Sequence, residues 1–253
     1  MTDYSSTHQA LLDTVPLREG ARIESERVHY DEGGTALDGF LVADAAIDGP
    51  RPAVLVLHDW TGEQEYTRVR AEMLARLGLL AFAADLYGAG VRPTGDDAAA
   101  EAGTYYGDLP LLRRRVQAAY DVLASDPRVD PSRIVVIGYC FGGSASIEFA
   151  RTGAALAGAV SFHGGLVTHE PADVESIRTP LLVLTGADDP VVPDEAVVAF
   201  EDELRQNPAI DWQIVLYSGA PHAFTLPEAP SWRPVADARS WRAFRAFLDE
   251  VLG

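Results

Sequence analysis

Ile134-Val135-Val136-Ile137-Gly138-Tyr139-Cys140-Phe141-Gly142-Gly143 is the stretch that decides the fold. Four β-branched residues in a row read as a strand buried on both faces. A glycine, a cysteine and two more glycines follow, and a helical pattern continues from Phe141 to about Arg151. This is the strand–turn–helix pattern G-x-S-x-G of a nucleophile elbow, with cysteine in the serine position. The glycines two before and two after the centre let strand and helix approach closely. The central side chain then stands exposed on a strained turn. The helix N-terminus offers N–H groups and partial positive charge to an anion. A thiol suits that place, because thiolates are intrinsically nucleophilic and are favoured near helix N-termini. A buried structural thiol is the plainer reading of a lone cysteine. Against it, the chain's only cysteine stands at the centre of this motif.

Outward from the elbow, strands and helices alternate. Residues 1–20 read as a loosely structured N-terminal arm, and residues 21–253 as one domain. Arg22 to Tyr30 and Thr35 to Ala43 form an N-terminal hairpin around Asp31-Glu32-Gly33-Gly34. Ala53 to Leu57, Leu79 to Ala84, Ala157 to Phe162, Leu181 to Thr185 and Trp212 to Tyr217 are further strands. Glu65 to Leu77, Asp194 to Arg205 and Val235 to Leu252 are helices, and Asp96 to Ser125 is helical with a break near Pro110. The alternation predicts an α/β fold with a mostly parallel central sheet and helices on both faces. In such a sheet the active site lies beyond the carboxyl ends of the strands.

The composition excludes much. The 253 residues carry 38 acidic and 20 basic side chains, a net charge of −18, and every basic one is arginine. A Schiff-base lysine, a Ser–Lys dyad and a phosphate-loop lysine are therefore absent. The acidity argues against nucleic acid and anionic membranes as partners. No apolar run reaches the roughly 18 residues of a membrane span. No secretion signal is expected from the first twenty residues, and with one cysteine no intrachain disulfide forms. A cytoplasmic protein is expected. No His/Asp/Glu cluster has metal-ligand spacing, and Gly88-Ala89-Gly90 lacks the third glycine and helix of a dinucleotide site, so neither a metal nor another cofactor is expected.

A nucleophile elbow asks for an acid and then a histidine farther along the chain. Asp188 and Asp189 follow the strand Leu181 to Thr185, and His222 follows the strand ending at Tyr217. His222 is the general base for Cys140. Spacing alone leaves Asp188 and Asp189 unresolved. His8 lies in the N-terminal arm, His29 in the hairpin and His169 in a polar loop. His163 ends a strand but precedes the acid, and reads as pocket lining or a satisfied core histidine.

These residues resemble the dienelactone hydrolase family of α/β-hydrolases. The likeness rests on Gly138 to Gly143, the acid loop ending Val192-Pro193, His222-Ala223-Phe224, His58-Asp59-Trp60-Thr61-Gly62 and Asp85-Leu86-Tyr87, and it runs from about Glu26 to the C-terminus. The resemblance implies the α/β-hydrolase fold and a Cys140–His222–Asp189 triad that cleaves a small ester or lactone through a thioester. It selects Asp189, four residues before the proline of the Val-Pro pair. It also implies that Asp59 answers the substrate by activating the thiol, and that the N–H groups of Phe141 and Trp60 form the oxyanion hole. A carboxylate beside Cys140 disfavours the thiolate, so the site would rest as a thiol until substrate arrives. Two arginines that hold a substrate carboxylate in the best-known members are replaced by Ala89 and Leu226, which points to another substrate. Arg92 is the candidate substitute. Tyr87, Tyr105, His163 and Phe224, with Trp60 and Phe141, are the candidate lining of an apolar pocket. A thioesterase and a non-hydrolytic small-molecule binder are the competing readings. Oligomeric state is not legible.

Overall fold

The computed structural model describes residues 3–253. The chain divides into two compact units, Met1–Ile134 and Val135–Gly253. In the first, β1 (Ile23–Glu32) and β2 (Thr35–Asp44) form an antiparallel hairpin. Gly33 and Gly34 turn it at φ 60° and 84°, which a side chain would resist. β2 pairs antiparallel with β4 (Leu80–Ala84), and β4 pairs parallel with β3 (Arg51–Leu57). β3 and β4 are almost wholly buried, as their unbroken apolar runs require. The crossover between them is α2 (Glu65–Arg76), which buries Val69, Met73 and Leu74.

One departure from the sequence reading falls in this unit, and one expected break is placed. The N-terminal segment holds a helix, α1 (Ser6–Leu12), capped by the Ser5 hydroxyl, which accepts the His8 N–H. Leu11, Leu12 and Val15 are buried, and His8 Nδ1 lies 2.8 Å from Glu65 Oε1. Seven residues are too few for a helix to announce itself by period, and tertiary contacts supply its stability. The long helical stretch breaks at Gly107-Asp108, giving α3 (Gly95–Tyr106) and α4 (Leu109–Ser125). Pro110 opens α4, where its missing N–H costs nothing, and Asp108 caps the helix by accepting the Leu111 N–H at 2.9 Å.

β5 (Val129–Tyr139) leads into the second unit, where β5, β6 (Gly158–Phe162), β7 (Leu181–Gly186) and β8 (Trp212–Tyr217) pair in that order, all parallel. α5 (Phe141–Ala150), α6 (Asp194–Leu204) and α7 (Pro234–Leu252) complete it. Parallel pairing sets the carboxyl ends of β5, β7 and β8 on one edge, each followed by a loop carrying one chemistry-bearing residue. No helix among the described residues is long and apolar enough to cross a membrane.

Candidate active site

β5 ends at Tyr139 and α5 begins at Phe141, leaving Cys140 alone on the turn at φ 53° and ψ −115°. A non-glycine residue with positive φ is strained and persists only where its surroundings hold it. The holding is visible. A Cβ on Gly138 would stand 2.0 Å from Gly142 O, and one on Gly143 would stand 2.7 Å from Ser161 Oγ. The Cys140 N–H donates to Phe162 O at 3.0 Å. The elbow is thus pinned between its own helix and the end of β6, with the thiol half-buried at the positive end of α5.

The loops after β7 and β8 are tied to each other. Asp188 N–H donates to Ala220 O at 3.1 Å and Ala187 N–H to Tyr217 O at 3.0 Å. A Cβ on Gly186 would lie 2.1 Å from Ala220 O, so glycine permits that approach. His222 Nδ1 stands 2.9 Å from Asp189 Oδ2, and Nε2 stands 3.1 Å from Cys140 Sγ. The other Asp189 oxygen accepts Val191 and Val192 N–H at 2.8 and 3.2 Å. Asp189 is buried and Asp188 is exposed, so only Asp189 reaches the histidine. Burial alone would lower the His222 pKa. The hydrogen bonds to Asp189 and Cys140 more than offset it and raise the imidazole from its ordinary 6.5 to about 10. The imidazole is therefore favoured in its protonated form, held between Asp189 and Cys140.

The remaining candidates occupy varied surroundings. Phe141 opens α5 and is buried, and Phe224 is buried beside the His222 loop. His163 is wholly buried, with Nε2 2.7 Å from Thr225 Oγ1. In the first unit, Asp59 Oδ1 accepts both the N–H and the hydroxyl of Thr61, at 2.8 and 2.5 Å, closing its own turn rather than capping α2. His58 Nδ1 contacts Asp59 O at 2.6 Å, and its Nε2 accepts Leu86 N–H at 3.1 Å. Burial pushes the His58 pKa down, in keeping with this neutral tautomer. Trp60 is 39% exposed, and its carbonyl accepts the Tyr87 hydroxyl at 3.2 Å. Tyr87 stacks on Tyr105 with centroids 5.1 Å apart, and both are buried.

Arg92 is already engaged. Its guanidinium lies 3.2 Å from Glu63 Oε2 and 3.5 Å from Asp85 Oδ1, and donates to Gly88 O and Val91 O. The fully buried Glu63 also binds Arg27 and Arg68, at 2.9 and 2.6 Å. Burial would raise the Glu63 carboxyl, but those two guanidiniums hold it below its ordinary range. This hub has no signature in the sequence, because its members lie far apart, from Arg27 to Arg92, without a local pattern. Thr225 has none either, being visible only through its contact with His163. Among the described residues, no group of three or more His, Cys, Asp or Glu side chains could hold a metal ion.

A family model described as the dienelactone hydrolase family matches residues 37–252. A solved dienelactone hydrolase-like promiscuous phosphotriesterase from metagenomic libraries is 39% identical, with a TM-score of 0.88, over 92% of this chain and 100% of that one. Protein usf of Aquifex pyrophilus is 25% identical over 90% of this chain and 99% of its own length. A probable 2-oxo-3-(5-oxofuran-2-ylidene)propanoate lactonase of Bradyrhizobium sp. is 26% identical over 82% of this chain and 87% of its own.

Proposed function

The chain belongs to the dienelactone hydrolase family and has its α/β-hydrolase fold, and we propose on that premise that it cleaves a small ester or lactone with Cys140, His222 and Asp189. The observation that carries the reading is the unbroken relay of 3.1 Å from Sγ to Nε2 and 2.9 Å from Nδ1 to Asp189. Sγ attacks the carbonyl carbon. Imidazolium His222 then gives its proton to the leaving oxygen, and a thioester on Cys140 remains. Neutral His222 next takes a proton from water, whose oxygen attacks the thioester. The acid leaves Sγ as a thiolate beside imidazolium His222, the pair with which the cycle began. Asp189 holds the Nδ1–H tautomer throughout.

The Phe141 N–H, first in α5, is one oxyanion donor in this reading. Trp60 N–H as the second donor and Asp59 as the carboxylate that answers substrate are carried by the family likeness. The substrate is proposed to be uncharged, because Ala89 and Leu226 replace the anion-holding arginines and Arg92 is occupied by Glu63 and Asp85. Tyr87, Tyr105 and Phe224 are proposed as buried aromatic lining of the substrate pocket.

The test is turnover of short aryl esters and neutral lactones by wild type and Cys140→Ala. Loss of turnover by roughly a thousandfold or more, with a wild-type circular dichroism spectrum, is expected of a removed nucleophile. An acyl adduct should appear on wild type by intact mass and be missing in the variant. Turnover that survives in Cys140→Ala sinks the assignment, and a wild type that binds esters without acylation returns the non-hydrolytic binder. A second reading, phosphotriester hydrolysis, is favoured by the 39% identity to the promiscuous phosphotriesterase. An aryl phosphotriester added to the same screen separates the two.

A further inference from the structure

We propose that His163 is a positioning residue for the base, holding the His222 loop so that the imidazole stays aimed at Cys140. The proposal deepens the triad reading above and rests on it. His163 sits one residue beyond β6 with φ 41°, a second strained non-glycine position beside Cys140 at 53°. Its N–H donates to Leu184 O at 2.8 Å, and the preceding carbonyl, Phe162 O, accepts the Cys140 N–H. A Cβ on the following residue, Gly164, would lie 2.6 Å from Ser144 N, so this turn abuts the first turn of α5. The turn is therefore fixed to the nucleophile on one side. On the other, His163 Nε2 reaches Thr225 Oγ1 at 2.7 Å, three residues past His222.

The ring also packs edge-to-face on the two side chains that the His222 loop presents. Its centroid is 5.5 Å from that of His222 at 71°, and 5.4 Å from that of Phe224 at 74°. Between them Ala223 adopts φ 57°, so the base loop is itself strained and needs holding. Phenylalanine at position 163 could supply the ring contacts. Only a ring that also hydrogen-bonds ties Thr225 to the end of β6, and that explains a fully buried histidine here. The groups around the His222 ring are then Asp189, Cys140 and His163, each approached from a different strand end.

Cys140 is the only cysteine, so its alkylation by iodoacetamide, followed by intact mass against pH, reads the Cys140–His222 pair without any substrate. His163→Phe keeps the ring and loses the bond to Thr225, and Thr225→Val removes the same bond from the other side. Each is expected to slow alkylation at neutral pH about tenfold and raise its pH midpoint, with kcat falling by a similar factor and KM holding. Thr225→Ser should restore wild-type behaviour, and the double variant should be no worse than either single one. An unmoved alkylation midpoint in a folded His163→Phe or Thr225→Val overturns the proposal, as do additive losses in the double variant. Should His163→Phe fail to fold, Thr225→Val and Thr225→Ser decide. If wild type shows no Cys140-dependent turnover while the midpoint shifts as expected, the hydrolase reading fails and the positioning role stands.

Discussion

Asp188 and Asp189 differ by one position in the chain and entirely in surroundings. Asp188 lies in solvent, whereas Asp189 turns inward to two backbone N–H groups and the His222 ring. Sequence places an acid in this loop but cannot choose between the two, because the choice depends on how the loop after β7 meets Ala220. The family likeness selects Asp189, and Asp189 is the one whose carboxylate meets the His222 ring. The pairing also has a measurable consequence. A histidine raised on folding stabilises the native state fully below its unfolded value near 6.5, and loses that contribution as pH rises through about 10. Asp189→Asn removes the carboxylate whose hydrogen bond is the largest single cause of the raising. The stability gap between wild type and Asp189→Asn should therefore be largest below about pH 6.5 and close as pH approaches about 10. Urea unfolding across that range measures it, and kcat should fall by about a thousandfold or more at neutral pH as the tautomer is released. A gap that widens with rising pH would contradict the ion-pair assignment.

At the scale of elements, the elbow is legible in the sequence, since its strand, its glycines and its helix are all local. The anchoring of the chain beyond α5 is not. Arg151, just past the C-terminus of that helix, is fully buried and bidentate to Glu203 of α6, at 2.8 and 2.9 Å, with Nε 3.2 Å from Glu148 of α5. It also donates to Asp173 O and Val167 O, strapping the loop between β6 and β7 onto the helix that starts at the nucleophile. His169, read from sequence as a residue of a polar loop, is drawn in at 2.9 Å from Glu148. One guanidinium thus faces two buried carboxylates, alongside His169 at Glu148 and the His169 and Asp173 N–H groups at Glu203. Arg151→Met roughly matches the length but leaves Glu148 and Glu203 without that guanidinium, and is expected to cost about 3–5 kcal/mol, read from the midpoint of urea unfolding. A cost within about 0.5 kcal/mol, the scale of a surface change, would mean the network contributes nothing net. No period or motif announces such a network, because its members are far apart in sequence and their burial is decided by packing.

The charge of the whole molecule bears on substrate in a way that no single residue does. Net charge is −18, and Arg92 is already engaged by two buried carboxylates, Glu63 and Asp85. The field met by an approaching anion is therefore repulsive at long range, and in this reading no guanidinium waits at short range to reverse it. Two pictures of the substrate can be separated by salt. If the protein has inherited an anion site, a carboxylate-bearing ester should outperform its neutral methyl-ester analogue, most clearly at low ionic strength. If repulsion governs, kcat/KM for the carboxylate substrate should be lower than for the neutral one in dilute buffer. Between about 0.01 and 1 M salt the Debye length shrinks from about 30 to 3 Å, so that deficit should narrow while the neutral substrate's kcat/KM barely moves. The second outcome is expected here. Arg92→Ala supplies the control, since an arginine held by Glu63 and Asp85 should leave the preference between the two substrates unchanged even where stability falls. A carboxylate preference that Arg92→Ala abolishes would show instead that the guanidinium leaves Glu63 when substrate binds.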